Sequence, residues 1–320
     1  MLSLNIDDIR HRIDWIFDLS NKNIIIHSDI DGVLSMAFLQ QYAGLKQIVG
    51  LYDLDTFYFI DKEYTKVSKF KDLIAIDLDI SYYGIRNLGH HMTCVKSADN
   101  SLNINEYAGI AENLVSNYTQ KYPLNTIILL YSIFGIEPSS DEEIALLIYA
   151  DSVYQNFNQY NNNVVNWLTA LKQHKILDAL NNRYEKLMSI IRDKIVPITS
   201  KIKDTRYCAK DKFSQCQLTS SYYFNKQKRR KYNGNPKELI DLIRDITNWN
   251  VIDLPKNMFC KKTYFNKKVI LGEKSDLSTV RNNLLKLEKY IEENPNTIVS
   301  SSMAYINGYK ITSTVDVNII

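Results

Sequence analysis

The first two-thirds of the chain alternates short apolar, β-branched runs with segments of helical periodicity, a pattern that folds as a parallel sheet flanked by helices. Candidate strands are NIIIH at 23–27, QIVGLYD at 47–53, DLIAID at 72–77 and TIILLY at 126–131, with amphipathic segments between them at 32–43 and 105–121. The expected class is therefore α/β, with a doubly wound, mainly parallel sheet. Ligands bind such sheets at the carboxyl ends of the strands. Asp29 and Asp31 follow the end of one candidate strand, and Asp77 ends another.

The chain has 320 residues, and single cores rarely extend beyond about 250, so two domains are expected. Residues 1–163 carry the alternating pattern, and 164–199 are helical and charged, closed by Pro197 and read as a linker. Residues 200–320 change to hairpins and helices, which predicts a smaller α+β domain. Helices are expected at 235–248 and 275–293, and Asn307-Gly308 between two alternating runs is a hairpin signal.

Several classes are disfavoured by what the chain lacks. Its longest strongly apolar stretch, TIILLYSIFGI at 126–136, is shorter than the roughly 20 residues a membrane helix needs. The N-terminal segment MLSLNIDDIRHRIDW mixes charges with apolar residues and reads as an amphipathic helix rather than a signal peptide, so a cytoplasmic protein is expected. Cys94, Cys208, Cys216 and Cys260 form no C-x-x-C pair or disulfide framework.

Charge divides unevenly. Residues 1–200 hold 17 Lys+Arg against 24 Asp+Glu, and residues 201–320 hold 22 against 12. One reading is that the acidic part gathers metal while the basic part attracts an anion; the other is two solvated surfaces that dock on each other. The basic part contains NKQKRRKYNGN, with Lys228, Arg229, Arg230 and Lys231, and CKKTYFNKKVI, with aromatics among the charges. Basic segments with stacking aromatics suit single-stranded nucleic acid or oligonucleotides, although a charge run is also simply a solvated loop.

The chemistry concentrates in the acidic part. In IIIHSDIDG, Asp29 and Asp31 are two apart, so an extended chain would aim both to one side, with His27 beside them. Either could instead cap the helix that follows. Two carboxylates in one cleft repel unless a cation lies between them. IAIDLDI repeats the device with Asp77, and NLGHHMTC offers His90 and His91. In DEEIALLIYADS, a continuous helix would put Asp151 on the apolar face with Ile144, Leu147 and Ile148. Carboxylates and imidazoles without thiolate suit Mn²⁺ or Mg²⁺.

The order HSDIDG, IDLD, GHH and YADS, with the polar segment DNSLNINEYAGI after the histidines, resembles the motifs of the DHH phosphoesterase superfamily over roughly residues 20–160. The resemblance implies a two-metal site in which His27, Asp29, Asp31, Asp77, His90 and Asp151 surround the metal pair. Asp77 would bridge the ions and His91 would sit near the scissile phosphate; His27 would be a ligand or an outer-sphere group. It also implies a smaller second domain closing over the substrate. Two departures stand out: Gly89 replaces the aspartate that opens the family's triplet, and no G-G-G-H motif follows residue 200. The expected activity is that of a two-metal phosphodiesterase, a nuclease-type hydrolase acting on single-stranded nucleic acid or short oligonucleotides. Its rivals are a phosphatase, a cyclic-nucleotide phosphodiesterase, and a non-catalytic binding or structural relative.

Overall fold

The computed structural model describes residues 2–52, 56–65, 72–81, 85–92, 97, 100–110, 117–202, 236–255, 259–262, 298–303 and 311–316. Helix α1 (Ile6–Arg12) opens the chain, capped by the Asn5 side chain at the N–H groups of Asp7 and Asp8. Strand β1 (Asn23–His27) follows, then helix α2 (Ile30–Tyr42) and strands β2 (Gly50–Tyr52), β3 (Thr56–Phe59) and β4 (Leu73–Ile76). Next come β5 (Ile80–Ser81), β6 (Arg86–Gly89) and β7 (Leu102–Asn103). The C-terminal part adds β8 (Phe259–Lys262), β9 (Ile298–Met303) and β10 (Ile311–Asp316).

Seven strands form one sheet in the order β7-β6-β4-β1-β2-β3-β8. Pairing from β7 through β2 is parallel, and β3 and β8 extend the other edge antiparallel. β1 and β4 are neighbours in register Ile25↔Ala75 and Ile26↔Ile76. From β1 the chain passes through α2 to β2 on one side, whereas from β4 it proceeds to β6 on the other. The strand order thus reverses at β1 and β4, and in sheets of this kind ligands bind at the carboxyl ends of the strands at such a point.

The pleat sends Ile24 and Ile26 into the larger apolar cluster and Ile25 into the smaller one on the opposite face. All α-helical residues of the two clusters lie in the larger one. The opposite face, built from residues such as Val49, Tyr52, Phe57 and Ile85, has strand and loop residues and a 3₁₀ turn but no α-helix among the described residues. The mainly parallel α/β sheet is present, and helical cover is described on one face.

TIILLY is a correction to the strand reading: residues Thr126–Phe134 form a helix. Asn125 caps it by accepting the Ile128 N–H, and Gly135 ends it in the left-handed conformation at φ 68°. Thr126 through Ile133 are all buried, and a run buried on every side carries no periodicity to separate helix from strand. Pro197 is a second correction, because helix Val196–Ile202 continues through it. The π turn Ile191–Ile195 just before it widens the backbone where proline would otherwise break the ladder.

Helices spanning 161–202 bury Val164, Trp167, Leu168, Ile176, Leu187 and Ile191 in the larger core. Helix Pro236–Thr247 matches its expectation and places Leu239, Ile240 and Ile243 in the same core. Trp249 packs edge-on against Phe38 of α2, and Gln40 and Gln41 accept the N–H groups of Ile252 and Asn250. Among the described residues, then, 236–255 belong to the first core rather than to a separate one. β9 pairs antiparallel with β10 and with β5; the expected helix at 275–293 and the Asn307-Gly308 turn lie outside the described residues. Among the described residues, no helix is long and apolar enough to cross a membrane.

Candidate metal centre

β1 ends at His27, and Asp29 starts α2 by accepting the Gly32 N–H at 3.1 Å. Gly32 is demanded by closeness: a Cβ there would lie 2.1 Å from the His27 carbonyl oxygen, so only glycine lets the helix begin directly over the strand end. Asp29 is extended (φ −101°, ψ −173°) while Asp31 is already in the first helical turn. The two carboxylates therefore diverge instead of sharing a side, which corrects the extended-chain reading. Asp29 turns toward His27 and Asp77. Asp31 turns toward helix Thr126–Phe134, accepting the N–H of Thr126 (2.7 Å) and Ile127 (2.9 Å). Both aspartates are caps, Asp29 of its own helix and Asp31 of another.

Asp77 follows β4 in the left-handed region (φ 58°), and Asp151 does so as well (φ 53°). Aspartate visits this region more readily than most residues, and strained backbone of this type concentrates at functional sites. The conformation at Asp151 corrects the continuous-helix reading. Helix Asp141–Tyr149 stops, a 3₁₀ turn Ala150–Ser152 kinks the chain, and Val153–Gln159 resumes.

Six side chains converge as two triads of facing ligand atoms, His27–Asp29–Asp77 and Asp31–His90–Asp151, each within 4.8 Å. Asp77 faces both, with Oδ2 3.5 Å from His27 Nδ1 and Oδ1 3.4 Å from His90 Nδ1. Asp29 Oδ2 lies 2.9 Å from His27 Nδ1. Yet neither ring nitrogen of His27 nor Asp77 Oδ2 has an aligned hydrogen-bond partner among the described residues, although all three atoms are buried. His90 Nε2 lies 3.1 Å from Asp151 Oδ2. Thr126 orders the centre: its hydroxyl donates to Asp77 Oδ1 at 2.8 Å, so it accepts from His90 Nδ1 at 2.9 Å. The protonated ring donates Nε2–H to Asp151 Oδ2, and in the neutral ring the Nε2 lone pair would be the one open to a cation.

Four carboxylates against two imidazoles make this a buried anionic cluster. Burial lifts the Asp31 carboxyl well above the usual range, and Asp77 and Asp151 add to the rise. Asp29 is also raised by burial, with His27 opposing. Burial alone would raise Asp77 and lower the two histidines. The imidazoles instead hold Asp77 well below its ordinary value. Asp29 and Asp77 lift His27, while Asp151 and Asp77 lift His90. Lys121 is pushed down to about 8 by burial despite the field of Asp151. A cation could be held by the oxygen and imidazole donors of these triads, offsetting the negative charge of the cluster.

His91 stands outside both triads. Its ring stacks on His90 at 4.3 Å and its Nδ1 donates to Asp79 at 3.0 Å. Asn105 accepts the Tyr122 N–H and donates to the His90 carbonyl, and Tyr122 meets His90 edge-on at 5.9 Å. Thr126, Asp79, Asn103 and Asn105 were not among the expected site residues. Asp79 was visible as the second aspartate of IDLD, whereas Thr126 was hidden at the head of a run read as a strand. Lys228, Arg229, Arg230 and Lys231 lie outside the described residues. Comparison with protein-family models, with curated proteins and with solved structures finds no match to this chain.

Proposed function

We propose that this chain is a divalent-metal-dependent phosphoesterase using two Mn²⁺ or Mg²⁺ ions. The observation that carries the reading is the pair of triads, with one Asp77 oxygen turned to each and with His27 Nε2 buried and without a hydrogen-bond partner among the described residues. A buried polar atom left unpaired costs about 1–3 kcal/mol, and a role as metal ligand would account for it. His27, Asp29 and Asp77 would hold one ion, and Asp31, His90 and Asp151 the other, with Asp77 shared. When bound, such a pair supplies a nucleophilic hydroxide at neutral pH and neutralises charge on phosphorus.

The protein's own groups do the arranging. Thr126 fixes the His90 tautomer and one Asp77 oxygen. The two N–H groups that Asp31 accepts fix its carboxylate against helix Thr126–Phe134. His91, one-third exposed beside the cluster, is suited to contact the substrate phosphate. A single-stranded oligonucleotide is the substrate class we favour, because residues 201–320 carry 22 basic against 12 acidic residues and basic, aromatic-bearing segments track phosphate backbones.

The test is incubation of chelator-stripped protein with labelled single-stranded oligonucleotides, with and without Mn²⁺. Metal-dependent shortening of the label is expected. Stoichiometric metal uptake without hydrolysis of any phosphoester would favour a binding protein instead. No metal uptake at all would overturn the proposal.

A further inference from the structure

Gly89, at the end of β6, is not in the left-handed region, so backbone freedom does not explain it. Space does. A Cβ at this position would lie 2.1 Å from Asp79 Oδ1 and 2.4 Å from its Cγ. The Asp79 carboxylate thus fills the volume that any side chain at 89 would need, and it is itself buried.

That carboxylate is fully engaged around one residue. Oδ2 accepts both the backbone N–H and the ring Nδ1 of His91, each at 3.0 Å. Oδ1 accepts from Asn103 Nδ2 at 2.6 Å, and the same amide nitrogen donates to the His91 carbonyl at 2.7 Å. Asp79 and Asn103 together hold the N–H, the C=O and one ring nitrogen of His91. A carboxylate only accepts, so Nδ1 carries the proton. Nε2 is then the ring's free nitrogen among the described residues, on a side chain one-third exposed and stacked on His90.

We propose that Asp79 is the positioning residue of this centre: it orients His91 and fixes its tautomer from a place in the fold that exists only because residue 89 is glycine. The catalytic part of the inference rests on the phosphoesterase reading; the tautomer part does not. Positions 79 and 89 compete for one volume, so a carboxylate supplied from 89 should replace one removed from 79.

The test uses the full chain with Mg²⁺, ¹⁵N-histidine NMR with His91 assigned through His91→Gln, and Mn²⁺-dependent hydrolysis of bis(p-nitrophenyl) phosphate. Asp79→Ala and, independently, Gly89→Ala, which displaces the carboxylate, should both abolish the Nδ1-protonated signature of His91. Neither should change metal content, and kcat should fall about 10- to 100-fold with KM little altered. The exchanged variant Asp79→Gly/Gly89→Asp should regain the signature and most of the lost kcat, a rescue that a merely structural role would not give. An unchanged His91 signature in Asp79→Ala or Gly89→Ala, or a folded exchange variant that regains nothing, would overturn the proposal. If the wild type hydrolyses neither this ester nor the labelled oligonucleotides, the phosphoesterase reading fails while the NMR result still decides the role of Asp79.

Discussion

Thr126→Val is the substitution whose consequences the geometry fixes most fully. Valine keeps the shape of threonine and removes only the hydroxyl, which donates to Asp77 Oδ1 at 2.8 Å and accepts from His90 Nδ1 at 2.9 Å. A hydrogen bond to a charged group contributes about 1.5–3 kcal/mol, and a buried donor left without a partner costs about 1–3. Both apply here, because Asp77 and His90 are buried. The metal-free variant should lose about 3–5 kcal/mol, which at a urea m-value near 3 kcal/mol/M lowers the midpoint by about 1–1.7 M. Thr126→Ser keeps the hydroxyl and should lose only about 1 kcal/mol for its missing methyl. Metal affinity, read by calorimetric titration of Mn²⁺, should fall about 10- to 100-fold in the valine variant alone, since groups that orient ligands have effects of that size. A valine variant with the wild-type midpoint and affinity would refute the assigned role of Thr126 and the tautomer it imposes on His90.

Asp77→Asn should abolish metal-dependent hydrolysis while the far-ultraviolet circular dichroism stays native, because asparagine tolerates the left-handed backbone at this position but lacks the charge to serve two ions; wild-type turnover would reject the bridging role. In chelator, stability should fall as pH rises. The folded values of His27 and His90 are raised, so their contribution is present below the unfolded value of about 6.5 and is lost as pH climbs through the folded values. The raised Asp31 acts in the same direction, beginning above its ordinary carboxylate range, and saturating Mg²⁺ should flatten the decline; a melting temperature that rises from pH 6 to 9 in chelator would contradict this. Neutralising Lys228, Arg229 and Arg230 together should weaken single-strand binding and reduce its salt dependence, because each phosphate contact releases counterions, and an unchanged slope in fluorescence anisotropy would make the segment a solvated loop.

Much of this centre could be read from residue types and their order, but less from periodicity. Strand-ending aspartates were legible because β1 and β4 are short isoleucine-rich runs with an abrupt change to charge. How those aspartates point was not. An extended chain and a first helical turn present Asp31 in different directions, and only its capping of helix Thr126–Phe134 fixes which applies. That helix was misread because complete burial erases the contrast between faces. Asp151 emerged from a wrong premise: the helix assumed to carry it ends two residues earlier, and a left-handed turn delivers the carboxylate to the site. Gly89 looked like a lost carboxylate. Asp79 occupies that space, so Gly89→Asp alone should destabilise the strand end.

The central claim is two ions shared across Asp77, and a crystal structure of the Mn²⁺-soaked protein with anomalous scattering tests it most directly. The account predicts two peaks about 3.5–4 Å apart, one bounded by His27, Asp29 and Asp77 and the other by Asp31, His90 and Asp151. A cleft with no anomalous peak at saturating Mn²⁺, with the six side chains instead joined by hydrogen bonds and water, would contradict it.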